Sequence, residues 1–172
     1  YNLIVSNTDA LVTFAGALTS EFYRSESADV TYSNDFTATD CRIYSENGAI
    51  TQKFGAGRTY TFAELYVNGS LGKTQHLEST STSAWNLNVS VVPYVTFADV
   101  AYSDASGGLE IVAIRSKDSG KNVNWDFGHT WAIWRGDTSA DFGTAANWDP
   151  ASVPDGSTYV LIDDPDLCTI GA

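Results

Sequence analysis

Residues 85–114 read Trp85-Asn-Leu-Asn-Val89-Ser-Val-Val-Pro-Tyr94-Val-Thr-Phe-Ala-Asp-Val100-Ala-Tyr-Ser-Asp-Ala-Ser-Gly-Gly-Leu109-Glu-Ile-Val-Ala-Ile114. Three apolar runs stand out, at 85–89, 94–100 and 109–114, each bounded by Asn, Ser, Gly, Asp or Pro. Alternation of apolar and polar residues over so short a length is the pattern of a half-buried strand, and the bounding residues are turn-formers. Val112 to Ile114 follows the 95–100 run by a little under twenty positions. Residues 85–89 follow 65–67 by about twenty. The spacing decides more than the composition does.

Working outward, similar runs occur at 3–5, 11–14, 30–32, 41–44, 60–62 and 65–67, and the stretches 2–5, 19–23 and 40–44 keep the same beat. No window of a dozen residues carries apolar positions at i, i+3, i+4 and i+7 beyond a single turn, so helices are not expected. The chain is predicted to be all-β. Short strands recurring every 20–25 residues are the mark of a solenoid, in which each coil buries its apolar face only by stacking on the next. The expected fold is a right-handed parallel β-helix over residues 1–127, its rungs about 4.8 Å apart. The alternative is a β-sandwich or jelly roll, for which Asn47-Gly48 and Asn68-Gly69 would serve as hairpin turns.

Composition narrows the function classes. Of 172 residues, 43 % are apolar and 13 % aromatic, enough to build a sizeable core. Nine Lys and Arg against 21 Asp and Glu give a net charge of −12. Such a surface repels nucleic-acid phosphates and anionic lipid. No apolar run approaches the roughly 20 residues of a membrane-spanning helix, so membrane insertion is not expected. The sequence contains no methionine, which reads as a processed product or a piece of a longer polypeptide.

The composition shifts near residue 128. Trp131-Ala-Ile-Trp134-Arg-Gly136 leads through Asn147-Trp148 and Val153-Pro154 to a new apolar run at 159–162, and a further one begins at Cys168. Residues 128–172 are therefore expected to be a Trp-rich connector and the first strands of a following β module.

Two segments carry a family resemblance. Val95 through Gly108, followed by Asp118-Ser-Gly-Lys-Asn122-Val-Asn124-Trp125-Asp-Phe127, resembles the closing coils of β-helical regions in large bacterial surface proteins. The stretch from Trp134-Arg-Gly136 to Val160-Leu-Ile162-Asp resembles the segment that opens the next such module. Adhesins of the filamentous-haemagglutinin and autotransporter type, and phage tail-fibre proteins, contain stretches of this kind. The resemblance covers residues 94–164 and implies architecture. It transfers no catalytic residue.

The residues that could carry chemistry each have a simpler role beside the functional one. A glycosidase needs two carboxylates about 5–9.5 Å apart. Asp99 with Asp104, or the group Asp163, Asp164 and Asp166, could supply them, but all sit where strand positions and turns are expected. His76 and His129 have no nucleophile motif around them, so no catalytic residue is assigned. Asp104, Asp118 and Asn122 offer the hard oxygen donors that calcium takes; the same residue types form turns through their own side chains. Calcium is accordingly the one cofactor candidate. Trp131, Trp134 and Trp148 are candidates for stacking on sugar rings, or for packing where one module ends and another starts. Cys41 and Cys168 form no CxxC pair and have no His nearby, and are read as small buried side chains or a disulfide.

From these readings the chain is expected to be a non-enzymatic structural segment of an extracellular fibre, surface filament or adhesin. The alternatives are a virion component such as a tail fibre and a polysaccharide-binding or polysaccharide-degrading β-helix. The expected partners are other copies or the continuation of the same polypeptide, with a glycan as a further candidate. The expected location is extracellular or at the cell surface, the virion being the alternative.

Overall fold

The structure is a computed structural model that describes residues 1–6, 11–128, 130–156 and 158–162; for Thr130, Trp131, Tyr159 and Leu161 it describes the backbone alone. Cys168, His129, Asp163, Asp164 and Asp166 lie outside the described residues. The chain divides into two compact units, Tyr1–Phe127 and Gly128–Ala172.

The first unit is a β-solenoid of about 5 turns. One sheet contains β1 (Asn2–Ser6), β3 (Leu18–Glu26), β5 (Phe36–Tyr44), β7 (Thr59–Asn68), β9 (Trp85–Val89), β10 (Tyr94–Thr96), β12 (Ser103–Asp104), β13 (Ile111–Ile114) and β15 (Trp125–Asp126). The other stacks β2 (Val12–Phe14), β4 (Val30–Tyr32), β6 (Ile50–Phe54), β8 (Gln75–Ser79), β11 (Ala98–Val100) and β14 (Lys117–Asp118). Every strand pairing in this unit is parallel. The sandwich alternative, which requires antiparallel neighbours, does not describe it. Asn47-Gly48 and Asn68-Gly69 lie at coil corners, between β5 and β6 and between β7 and β8, and join strands of different sheets.

Burial shows that the long strands are bent. Along β5, Thr37 and Thr39 are exposed and Ala38 is buried, but Asp40 also faces outward before Cys41 turns in. The pairing register skips the same point: Ser20 pairs with Ala38 and Phe22 with Asp40, while Glu21 and Thr39 are passed over. Ala63 and Glu64 repeat the double outward step in β7. Two successive outward residues reverse the in–out alternation of a pleated strand, so each long strand serves two faces. In the next coil the bend opens into residues 90–93, and β9 and β10 are separate strands. Each coil thus presents three faces, the first before the bend, the second after it, and the third in the other sheet.

The coils are not of equal length. Val12 lies under Val30 and Leu18 under Phe36, an offset of 18. Phe36 lies under Tyr60 and Val67 under Val95, offsets of 24 and 28. Val95 then lies under Ala113, again 18. The expected interval of 20–25 therefore averages coils of 18, 24 and 28 residues. It also misplaces one rung, because 85–89 stacks on 59–62 and not on 65–67. The cause is the added chain at the corners 69–74 and 80–84, which no strand pattern reveals.

The core follows from these ladders. Leu18, Phe36, Tyr60 and Leu87 stack at one level, and Val5, Ser25, Ile43, Val67, Val95 and Ala113 at another. Phe14, Tyr32 and Phe54 stack on the third face, and Trp85 lies flat on Phe54 with ring centroids 4.1 Å apart. Buried hydroxyls inside this aromatic column are hydrogen-bonded, as burial demands. Tyr32 donates to Gln52 Oε1 (2.7 Å), shares a 2.6 Å bond with Tyr23, and its carbonyl accepts from Tyr60 (2.8 Å). Gln52 in turn donates to Ser25 Oγ and to the Ala28 carbonyl. Burial raises the phenol pKa of Tyr32 and Tyr23 and pushes that of Tyr60 up to about 12.

The second unit contains a sheet in the order β17 (Trp148–Asp149), β16 (Thr130–Trp134), β18 (Thr158–Leu161). β16 pairs parallel with β18, Thr130 against Thr158, and antiparallel with β17. Trp134 and Trp148 meet edge to face at 5.0 Å, and Phe142 packs on Trp148 at 4.8 Å. Asn147 is buried and organises the loop: its Oδ1 accepts from the Thr138 and Ser139 amides, and its Nδ2 donates to Ser139 Oγ and the Asp141 carbonyl.

Candidate functional site

Asp99 lies on the third face, paired in register with His76 below and Lys117 above. Its Oδ2 accepts from Lys117 Nζ at 3.0 Å and lies 3.6 Å from His76 Nδ1; its Oδ1 accepts from Ser119 Oγ. Burial alone would raise this carboxyl pKa. The Ser119 bond and the Lys117 charge outweigh it, and the group is held below its ordinary value. Asp104 is occupied differently. Its Oδ1 accepts from the Ser106 amide at 3.0 Å, and bonds to Ser106 lower its pKa. A glycosidase acid must instead stay protonated near neutrality, and neither carboxyl is placed in an environment that raises it.

The oxygens considered for calcium are already engaged. Asp118 Oδ1 accepts from the Gly120 amide (2.8 Å) and from Asn122 Nδ2 (2.6 Å). Asn122 Oδ1 accepts from the Ser103 amide (3.0 Å), while its Nδ2 also donates to the Val100 carbonyl. The amide thereby ties one corner to the coil beneath it. Among the described residues no group of three or more His, Cys, Asp or Glu could hold a metal ion.

Trp134 and Trp148 are 1 % and 2 % exposed, so their rings belong to the interior of the second unit and cannot stack on a sugar. The Trp148 indole N–H donates to the Phe142 carbonyl. The side chain of Trp131 is outside what the structure describes. Cys41 is buried against the second face, and burial, with the nearby Asp40 charge, raises its thiol pKa. A buried thiol of this kind is unreactive.

What sequence reading did not find is a seam along the inside of the strand bends. Residues 19–21, 37–39, 61–63 and 88–90, from four successive coils, line an open groove of about 850 Å³, with Tyr1 and Gly107 also in its lining. Its outer column is Thr19, Thr37, Thr61 and Asn88, which stand in register. Their side chains make no hydrogen bond with other described residues. At Gly107 a Cβ would come within 2.0 Å of Asn88 Oδ1, so glycine leaves the room in which that amide lies. The signal was in the sequence. Phe36-Thr-Ala-Thr39 and Thr59-Tyr-Thr-Phe62 put threonines at alternate positions, but their alignment needed the offset of 24.

The second face carries a different array. Arg24 pairs with Glu26 at 3.0 Å and Arg42 with Asp40 at 2.8 Å, and the Arg42 guanidinium lies 5.6 Å and 5.9 Å from the Phe22 and Tyr66 ring centres. Tyr66 and Tyr94 stack with centroids 4.7 Å apart. Both arginines here are paired with carboxylates of the same face. In comparisons with protein-family descriptions, characterised proteins and solved structures, the chain matches none.

Proposed function

We propose that this chain is a non-enzymatic structural segment of an extracellular fibre, surface filament or adhesin, with the solenoid as its shaft. The observation that supports this most is the parallel ladder itself. It runs through every coil of the first unit, and among the described residues β1 and β2 each have a single neighbour. Strands with a free side are templates for pairing with a further strand. Another copy of the chain, or more of the same polypeptide, has the chemistry to pair there. Asp99 and Asp104 are held in an ion pair and a turn, which favours the scaffold over a polysaccharide-degrading site at that pair. Location outside the cell or at its surface belongs to the same proposal.

Sedimentation velocity and electron microscopy of the purified protein test it. The net charge of −12 opposes association of identical copies, so the measurement is made at low and at about 0.5 M salt, where screening is nearly complete beyond a few ångströms. End-to-end oligomers that lengthen with salt are expected. A species that stays monomeric at every salt and protein concentration would count against the shaft. Release of reducing ends from pectin, alginate or chitin-type polymers, abolished by Asp99→Asn, would support the enzyme instead.

A further inference from the structure

We infer that the seam groove of the first unit binds an extended, uncharged glycan chain lying along the solenoid axis. This goes beyond a shaft role and does not require that the chain assemble.

The outer column of the groove is polar and open to solvent. Thr19, Thr37 and Thr61 are exposed, and their hydroxyls and the Asn88 amide have no hydrogen-bond partner among the described residues. Each hydroxyl can donate one hydrogen bond and accept others, and the amide does both. Beside each hydroxyl stands a methyl group. A pyranose ring presents the same mixture, hydroxyls at its edge and C–H groups on its faces. Rungs about 4.8 Å apart place such a pair on three successive coils and the Asn88 amide on the fourth, in a groove roughly 20 Å long from the Thr19 rung to Gly107. The groove falls within the 300–1,000 Å³ usual for ligand sites.

Charge and backbone exclude the competing occupants. No Lys, Arg or His lines the groove, and its one ionisable side chain apart from Tyr1 is the carboxylate of Glu21. With a net charge of −12 around it, an acidic polysaccharide or a phosphorylated ligand would meet repulsion, and the positive group beside the groove, the Tyr1 ammonium, is paired with Glu21 at 3.9 Å. A peptide could not add as a strand on this face. Strand addition needs a free sheet edge, and here the backbone groups of 19–20, 37–38 and 61–62 are committed to the parallel ladder. Sugar hydroxyls need no such edge.

The test is isothermal titration of the whole chain with cellohexaose, xylohexaose, mannohexaose and N-acetylchitohexaose, and with hexagalacturonate as the charged control. At least one neutral oligosaccharide is expected to bind saturably, and hexagalacturonate at least tenfold more weakly. The double substitution Thr37→Val and Thr61→Val removes two hydroxyls while keeping shape and strand preference. It should weaken binding tenfold or more without lowering the melting temperature. Lys53→Gln, on the third face, should leave affinity unchanged and shows that the effect belongs to the groove. Should the valine pair unfold the protein, Asn88→Ala carries the same test by removing the amide from the column. Absence of saturable binding by all four neutral sugars would overturn the inference. So would equal affinity of wild type and groove variants, or a preference for hexagalacturonate. Binding is read on dilute protein at low salt, so a failure to bind and a failure to assemble are separate results.

Discussion

The stretch from Phe14 to Trp85 and the stretch from Leu87 to Asn124 build the same ladder with different interiors. The first fills its coils with Tyr23, Tyr32, Phe36, Phe54, Tyr60, Phe62 and Trp85; the second uses Val89, Val95, Ala98, Val100, Ala105, Ile111 and Ala113. Ring size does not set coil length: the aromatic coil between Leu18 and Phe36 has an offset of 18, as does the coil between Val95 and Ala113, while the next aromatic coil has 24. The two stretches differ instead in how they turn their corners. Of the six described non-glycine residues with positive φ, Phe97, Tyr102, Arg115, Lys121 and Asn124 all lie in the second stretch. In the first stretch Ser27 is the exception, and Gly57 and Gly72 take the other such positions. The first stretch is stabilised by aromatic burial and needs buried polar bonds for its phenols. The second carries part of its cost in the backbone, about 1–2 kcal/mol for each left-handed residue.

Breaking the aromatic interior should have the largest effect. Trp85→Ala removes a ring that stacks on Phe54 and donates to the Ala101 carbonyl, and a loss of about 3–5 kcal/mol is expected in denaturant titration. A loss under about 1 kcal/mol would mean that the aromatic column is not what stabilises this stretch. Tyr32→Phe comes next. It preserves shape but leaves Gln52 Oε1 and the Tyr23 hydroxyl short of a partner, for an expected loss of about 1–3 kcal/mol. The second stretch should respond in the opposite sense. Lys121 is exposed with φ +63°, and Lys121→Gly relieves its strain at some cost in chain entropy. A net gain of about 0.5–1 kcal/mol is expected. If the same change destabilises, the corners of the second stretch are not strained as described.

The smallest effect concerns pH. Asp99, with its side chain 17 % exposed, has its pKa lowered in the folded state. It therefore contributes stability above its unfolded value of about 3.9, and that contribution is lost as pH falls through the folded value. Melting curves recorded downward from pH 6 should show a shallower acid limb in Asp99→Asn than in wild type. The difference should stay within about 1 kcal/mol, since Lys117 is well exposed. Superimposable acid limbs would remove Asp99 from the account of the third face.

Much of this comparison was legible in the sequence. Alternation in runs such as 85–89 and 41–44 identifies strands, because a pleated strand has one buried side. The recurrence identifies stacking, and the 18-residue offset around Val95 and Ala113 was read closely. The bend was not legible. Thr39 and Asp40 look like ordinary polar strand residues, and their shared outward direction appears only when the next coil is laid over them. The groove depends on that bend, so it was hidden for the same reason. Trp134 and Trp148 show the converse: a dense tryptophan cluster looks like a binding surface until Phe142 and Asn147 are seen to enclose it.

The unequal coils also bear on how such a chain tolerates insertion and deletion. Val67 and Val95 remain in register across 28 residues, and Val95 and Ala113 across 18, so all the variation in length is absorbed at corners. A codon gained or lost at 69–74, 80–84 or 90–93 lengthens or shortens one protruding loop and shifts no rung. The same event inside β7 would turn Leu65 and Val67 outward and expose the core of three neighbouring coils. Corners are therefore where related sequences are free to diverge in length, and a comparison that penalises gaps uniformly along the chain would be poorly suited to finding them.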